Sequence, residues 1–137
     1  MKARHYRSVW LLLALAIGVC PGCTADPNAL QPLSGKVTFQ GQPLAQGTIA
    51  FFGREEPEQR LSGAMLQEGR FHVAADFGLP PGTYKVKISS PETPANPEMI
   101  GGYPVNVERI PAEFNKNSKL VIEVKPGGGN VFDFSIP

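Results

Sequence analysis

Two cysteines, Cys20 and Cys23, stand three residues apart in the stretch LALAIGVCPGCTADP, Leu13 to Pro27, and the 137-residue chain has no others. At that spacing three chemistries are open: a thiol–disulfide pair, half of a metal site, or the boundary at which a leader is processed. A redox C-x-x-C is expected after a strand in a βαβ unit, and this one follows an apolar run. Zinc would need two further ligands, and beyond Cys23 the chain offers a single histidine, His72. The processing boundary is the favoured reading.

The other reactive side chains are scattered. His72 sits in RFHVAA with Phe71 and Val73 on the opposite face, which makes it a solvated strand histidine. A Ser/His/Asp triad drawn from His72, Asp76 and a serine has nothing in the sequence to bring it together. Glu55, Glu56 and Glu58 surround Pro57 in a charged loop, without the alternating Asp/Asn pattern of a calcium loop. The stretch PGGGN lacks the Lys-Ser/Thr and the helix of a phosphate cradle and reads as a turn. No catalytic, cofactor or metal site is expected.

What precedes the cysteines has three parts. Lys2, Arg4 and Arg7 come first, then the unbroken apolar run Val9 to Val19, then small residues and Pro21. As a helix the run covers about 16 Å, roughly half of the 30 Å hydrocarbon core of a bilayer. A basic start, a short apolar centre and a small-residue boundary make an export signal. The ending Gly22-Cys23 resembles the lipobox of bacterial lipoprotein precursors, although Cys20 and Pro21 stand where that family has an aliphatic and a small residue. The alternative acceptor, Cys20, would follow bulky Val19. The resemblance implies a signal-peptide helix over residues 1–22, acyl chains such as palmitate on Cys23, and a flexible tether over 23–33. Thr24 in place of aspartate leans towards the outer membrane in a two-membrane cell. Without residues 1–22, 10 of the 13 basic residues face 12 acidic ones, a net charge of −2. That balance argues against nucleic acid as a partner.

The remaining chain must form one core. Its 15 glycines and 14 prolines favour short elements joined by turns. Seven runs alternate apolar and polar residues: SGKVTFQ, GTIAFFG, LSGAMLQ, RFHVAA, GTYKVKISS, KLVIEVKP and VFDFSI. The apolar faces are Val37 and Phe39, Phe71 and Val73, Tyr84, Val86 and Ile88, Leu120, Ile122 and Val124, and Phe132, Phe134 and Ile136, while GTIAFFG puts Ile49 and Phe51 on one face and Ala50 and Phe52 on the other. Turns fall at GQPL, Glu68-Gly69, Pro-Pro-Gly and GGGN. This predicts an all-β domain over 34–137, a single seven-stranded Greek-key β-sandwich of Ig-like or prealbumin-like kind. The connection Pro91 to Ser118 is too long for a hairpin and is expected to cross between sheets.

SGKVTFQGQPLAQGTIAFF, EGRFHV and PPGTYKVKI, with IPAEFN and the ending LVIEVKPGGGNVFDFSI, resemble the carboxypeptidase-regulatory-like, or transthyretin-like, domains of small secreted bacterial lipoproteins. The resemblance spans Ser34 to Ile136. It implies a prealbumin-like sandwich acting as an accessory or adhesion module without catalysis. A transthyretin-like purine-pathway hydrolase would need more histidine and a C-terminal tetrapeptide, whereas this chain ends in FSIP.

The expected partners are the membrane, through the lipid, and an envelope protein or polysaccharide. Trp10 is lost with the signal, which leaves Tyr103 in MIGGYPV as the candidate to stack on a sugar ring. Lys85, Lys87, Lys119 and Lys125 would either form a cationic face for anionic glycans or keep an exposed face soluble.

Overall fold

The computed structural model describes residues 26–55 and 59–137. The apolar run, Trp10, Cys20, Cys23 and the Glu56–Glu58 stretch lie outside them. Among the described residues no helix is long and apolar enough to cross a membrane.

The domain is all-β. Its strands are β1 (Leu33–Phe39), β2 (Gln42–Pro43), β3 (Gln46–Gly53), β4 (Arg60–Gln67), β5 (Arg70–Val73), β6 (Gly82–Ser89), β7 (Pro91–Glu92), β8 (Met99–Ile100), β9 (Tyr103–Pro104), β10 (Val107–Glu108), β11 (Val121–Val124) and β12 (Val131–Ile136). Two 3-10 turns, Ala75–Phe77 and Ala112–Phe114, are the described helical pieces. Each of the seven alternating runs became a strand because its apolar set lies two residues apart and finds one buried face. Val37, Ile49, Phe51, Val86, Ile88 and Ile136 are fully buried, while Lys36 on β1, His72 on β5, Glu123 on β11 and Asp133 on β12 point outward.

The seven form one continuous curled sheet in the order β11-β6-β3-β4-β5-β1-β12, with β2 paired to β1. All neighbours are antiparallel except β1 and β12, which run parallel with Val37 opposite Phe134. The curl closes one face on itself: Phe51 on β3 lies 6.1 Å from Phe71 on β5, and Phe71 lies 6.4 Å from Phe134 on β12, between ring centres. Two tight turns use positive φ at both central positions, Gln40-Gly41 (52° and 76°) and Glu68-Gly69 (51° and 73°). That geometry matches the twist of a two-residue hairpin, and glycine takes its second place without steric cost.

The registers give the domain two poles. β1, β4, β6 and β12 start at one pole, and β3, β5 and β11 end there, since Gly53 faces Tyr84, Leu33 faces Val73 and Val124 faces Gly82. The segment from Asp26 onward joins the sheet at this pole, called the tether pole after the tether expected from the sequence. Gln31 is buried, its N–H donates to the Leu79 carbonyl at 2.8 Å, and the Leu79 N–H returns the bond at 3.2 Å. Gly128 in the glycine-rich turn donates to the Gln31 side chain at 3.0 Å. Gln31 and Leu33, inside the segment expected to be tether, thus supply backbone and side-chain contacts that the sheet uses.

The connection after β6 departs from expectation. It leaves β6 at the opposite pole, makes two short two-stranded ladders, and returns to β11, which pairs with β6 itself. It is an arm at one end of the sheet and does not cross between sheets. The reason lies in its base, where polar groups clamp both ends of the excursion together.

Candidate functional site

The arm is built from Pro91 to Arg109. Its base pairs β7 with β10, placing Val107 opposite Glu92 and Glu108 opposite Pro91. Its tip is the β8–β9 hairpin, Ile100 opposite Tyr103, turned by Gly101 and Gly102 at φ 61° and 86°. Val105 N–H donates to the Glu98 carbonyl at 2.8 Å and extends the tip ladder. Thr93 Oγ1 and Asn106 Oδ1 are 2.7 Å apart between base and tip. Prolines at 91, 94, 97 and 104 remove N–H donors along the arm, which limits strand addition by other chains.

Glu108 holds the base. Its carboxylate accepts from Ser89 Oγ, from the Ser90 N–H at 2.9 Å, from the Ile110 N–H at 2.9 Å and from Asn115 Nδ2 at 3.1 Å. Asn115 also donates to the Ile88 carbonyl at 2.8 Å. Partial burial alone would raise the Glu108 pKa. The hydrogen bonds from Ser89, Ser90, Ile110 and Arg109 outweigh it and hold the carboxyl below the ordinary glutamate value. Arg109 adds a second clasp: Nη2 donates to Ser90 Oγ at 2.6 Å and Nη1 lies 3.5 Å from Glu92 Oε2. Ser90 Oγ in turn donates to the Gln46 carbonyl on β3 at 2.6 Å. These bonds fix the arm to the end of the sheet where β6 finishes and β3 starts.

What the clasp presents is apolar. Met99, Ile100 and Tyr103 at the tip are 57%, 63% and 78% exposed, and Val107 at the base is also exposed. Tyr103, the one candidate contact residue named from sequence, stands in the hairpin with its ring in solvent. Met99, Ile100 and the Glu108 clasp were not singled out from sequence. For the tip a signal existed, since Gly-Gly flanked by Met-Ile and Tyr-Pro is a two-residue hairpin pattern.

The remaining candidates lie elsewhere. His72 is on β5 opposite Ser34 of β1, and Asp133 of β12 lines the same open trough of about 960 Å³. His72 makes no hydrogen bond among the described residues, and Asp76 sits past the end of β5 in the first 3-10 turn. Across the trough Lys36 lies between Arg70 and Asp133, and its N–H donates to Asp133 Oδ1 at 3.1 Å. Its charges are mixed in sign and select no class of ion.

The four lysines belong to β6 and to the two ends of β11, which pairs with it. Lys85 and Lys87 are half-buried on β6, with the Lys87 ammonium 4.5 Å from the centre of the Phe52 ring, a cation–π contact that covers apolar surface. Lys119 and Lys125 are about 20 Å apart along the extended chain through β11, with the exposed carboxylate of Glu123 between them. Among the described residues, no three His, Cys, Asp or Glu side chains are grouped as a metal site.

No family model matches the sequence, and no curated protein matches it. Among solved structures, a 9R-lipoxygenase from Cyanothece PCC8801 is similar at a TM-score of 0.39 and 19% identity, over 83% of this chain and 17% of the lipoxygenase chain. This chain thus spans about a sixth of the length of that structure, and the likeness is too slight to assign it a fold family or an activity.

Proposed function

We propose that the protein is an exported lipoprotein whose acylated Cys23 carries a seven-stranded, Greek-key, prealbumin-like β-sandwich, and that it acts as a non-catalytic interaction module of the cell envelope. One observation carries the interaction role: three large apolar side chains, Met99, Ile100 and Tyr103, are held in solvent on a braced hairpin. A protein that needed the arm only as a connection would gain by collapsing those side chains onto the sheet, since each buried one is worth about 1.5–3 kcal/mol. Clusters of exposed apolar residues mark contact surfaces. The export signal and the Gly22-Cys23 boundary support the anchor. Thr24 after the acceptor favours the outer membrane, facing envelope proteins.

A second reading, carbohydrate binding, is favoured by the exposure of Tyr103, whose ring has an open face for a sugar. The two separate in one experiment. A photo-crosslinking residue is placed at Tyr103, and in a control at exposed Glu123 on β11, in cells making the full chain. The interaction reading expects a discrete protein adduct from position 103 and none from 123. Retention on a polysaccharide matrix that Tyr103→Ala abolishes, without a protein adduct, selects the glycan reading. Neither result at position 103 sinks both.

A further inference from the structure

At the tether pole a recess of about 660 Å³ is lined by Leu30, Arg60, Leu61, Asp76, Phe77 and neighbouring backbone. Its rim is apolar and solvent-facing: Leu30 and Leu61 are nearly half exposed, and Phe77 is 74% exposed. Scattered exposed leucines are ordinary, but these three are each held at this rim by a specific feature of the fold. Leu61 is the extra residue of a β-bulge, because Phe51 pairs with Ser62 and Phe52 with Arg60; such a bulge re-aims its side chain. Phe77 stands in a 3-10 turn whose carbonyl accepts from Ser62 Oγ at 2.6 Å, so the turn is pinned to β4. Leu30 precedes the Gln31–Leu79 bridge.

The location of the rim decides its partner. Asp26 to Ala29 form a turn, closed by the Ala29 N–H to Asp26 carbonyl bond at 3.0 Å. Cys23 lies only three residues before it. Covalent reach therefore keeps Leu30 within roughly 20 Å of Cys23. The arm leaves the far end of β6, eight residues away and about 25 Å along the strand. We propose that the Leu30–Leu61–Phe77 rim rests on the lipid bilayer that holds acylated Cys23, an inference that rests on the lipoprotein reading above. Among the described residues the recess carries one cation, Arg60, and one anion, Asp76, so contact is led by apolar insertion at the headgroup boundary and needs no anionic lipid. Three side chains bind a bilayer weakly, but the acyl tether makes their contact intramolecular. The arm is then presented away from the membrane.

The test uses the full chain bearing Phe77→Cys or Tyr103→Cys, both at solvent-facing positions. Each protein is extracted from membranes, weighed intact, labelled with an environment-sensitive fluorophore and reconstituted in phosphatidylcholine vesicles containing a spin-labelled quencher lipid. The expected result is a blue-shifted label at position 77, quenched several-fold more than the label at 103, and unchanged by added salt. Equal, weak quenching at both positions in a protein whose mass shows acylation overturns the membrane-resting face and leaves the anchor standing. Protection at 77 that grows with protein density and not with quencher lipid overturns it in favour of contact between copies. A mass without acyl groups removes the anchor, and this proposal falls with it.

Discussion

Gly78 shows how a single residue sets the attachment of the N-terminal segment. A Cβ there would stand 2.0 Å from the Gln31 carbonyl oxygen, so any larger residue must part the Gln31–Leu79 bridge. Overpacking of this kind costs about 1–3 kcal/mol, which lowers Tm by several degrees in a domain of this size. Gly78→Ala is therefore expected to melt well below wild type in calorimetry, whereas an unchanged Tm would mean that the Gln31 segment yields freely. Reading the chain alone identified the turn at Glu68-Gly69 and the outward His72, because both follow from local alternation. It did not identify Gly78, whose backbone at φ −72° is ordinary. Its constraint comes from a strand-like segment 47 residues earlier in the chain.

At the scale of elements, the seven sheet strands were legible and the arm was not. Strand alternation is a local property imposed by one buried face, and positions such as Val86 and Ile88 display it in full. The arm buries almost nothing, so no hydrophobic period marks it. Its shape is written in hydrogen bonds that join Glu108 to groups 2, 7, 18 and 19 residues away. Those bonds favour the ionised carboxyl, so the Glu108 pKa is lower in the folded arm than in an unfolded chain. Its contribution is present above the ordinary glutamate pKa and is lost as pH falls through the lower folded value. The Ser90 and Ile110 amide proton shifts should report this, titrating together with a midpoint below that of a free glutamate. In Glu108→Gln that titration should vanish, and an amide group aimed at the N–H donors should loosen the base. A midpoint at the ordinary value would mean that the clasp does not form in solution.

Across the whole molecule, the proposed reading gives the two poles two tasks. One pole receives the chain from Cys23 and carries the Leu30–Leu61–Phe77 rim. The other carries the arm with Met99, Ile100 and Tyr103. This division was not legible in the sequence, because it depends on strand register: the polarity of β6 puts Pro80 and Tyr84 beside the recess and Ser90 at the arm base. The expectation of a connection crossing between sheets failed for the same reason, since no pattern within Pro91 to Ser118 reveals that β11 returns to pair with β6. The lipid anchor is the claim on which both poles depend, since without it neither has a direction relative to a membrane. It is tested most directly by the intact mass of the protein extracted from its native membrane, for wild type, Cys20→Ser and Cys23→Ser. The account predicts a wild-type chain that begins at Cys23 and carries acyl groups, the same mature mass for Cys20→Ser, and no acylation for Cys23→Ser. An unacylated wild-type chain that retains both cysteines would contradict it and return Cys20 and Cys23 to the redox reading.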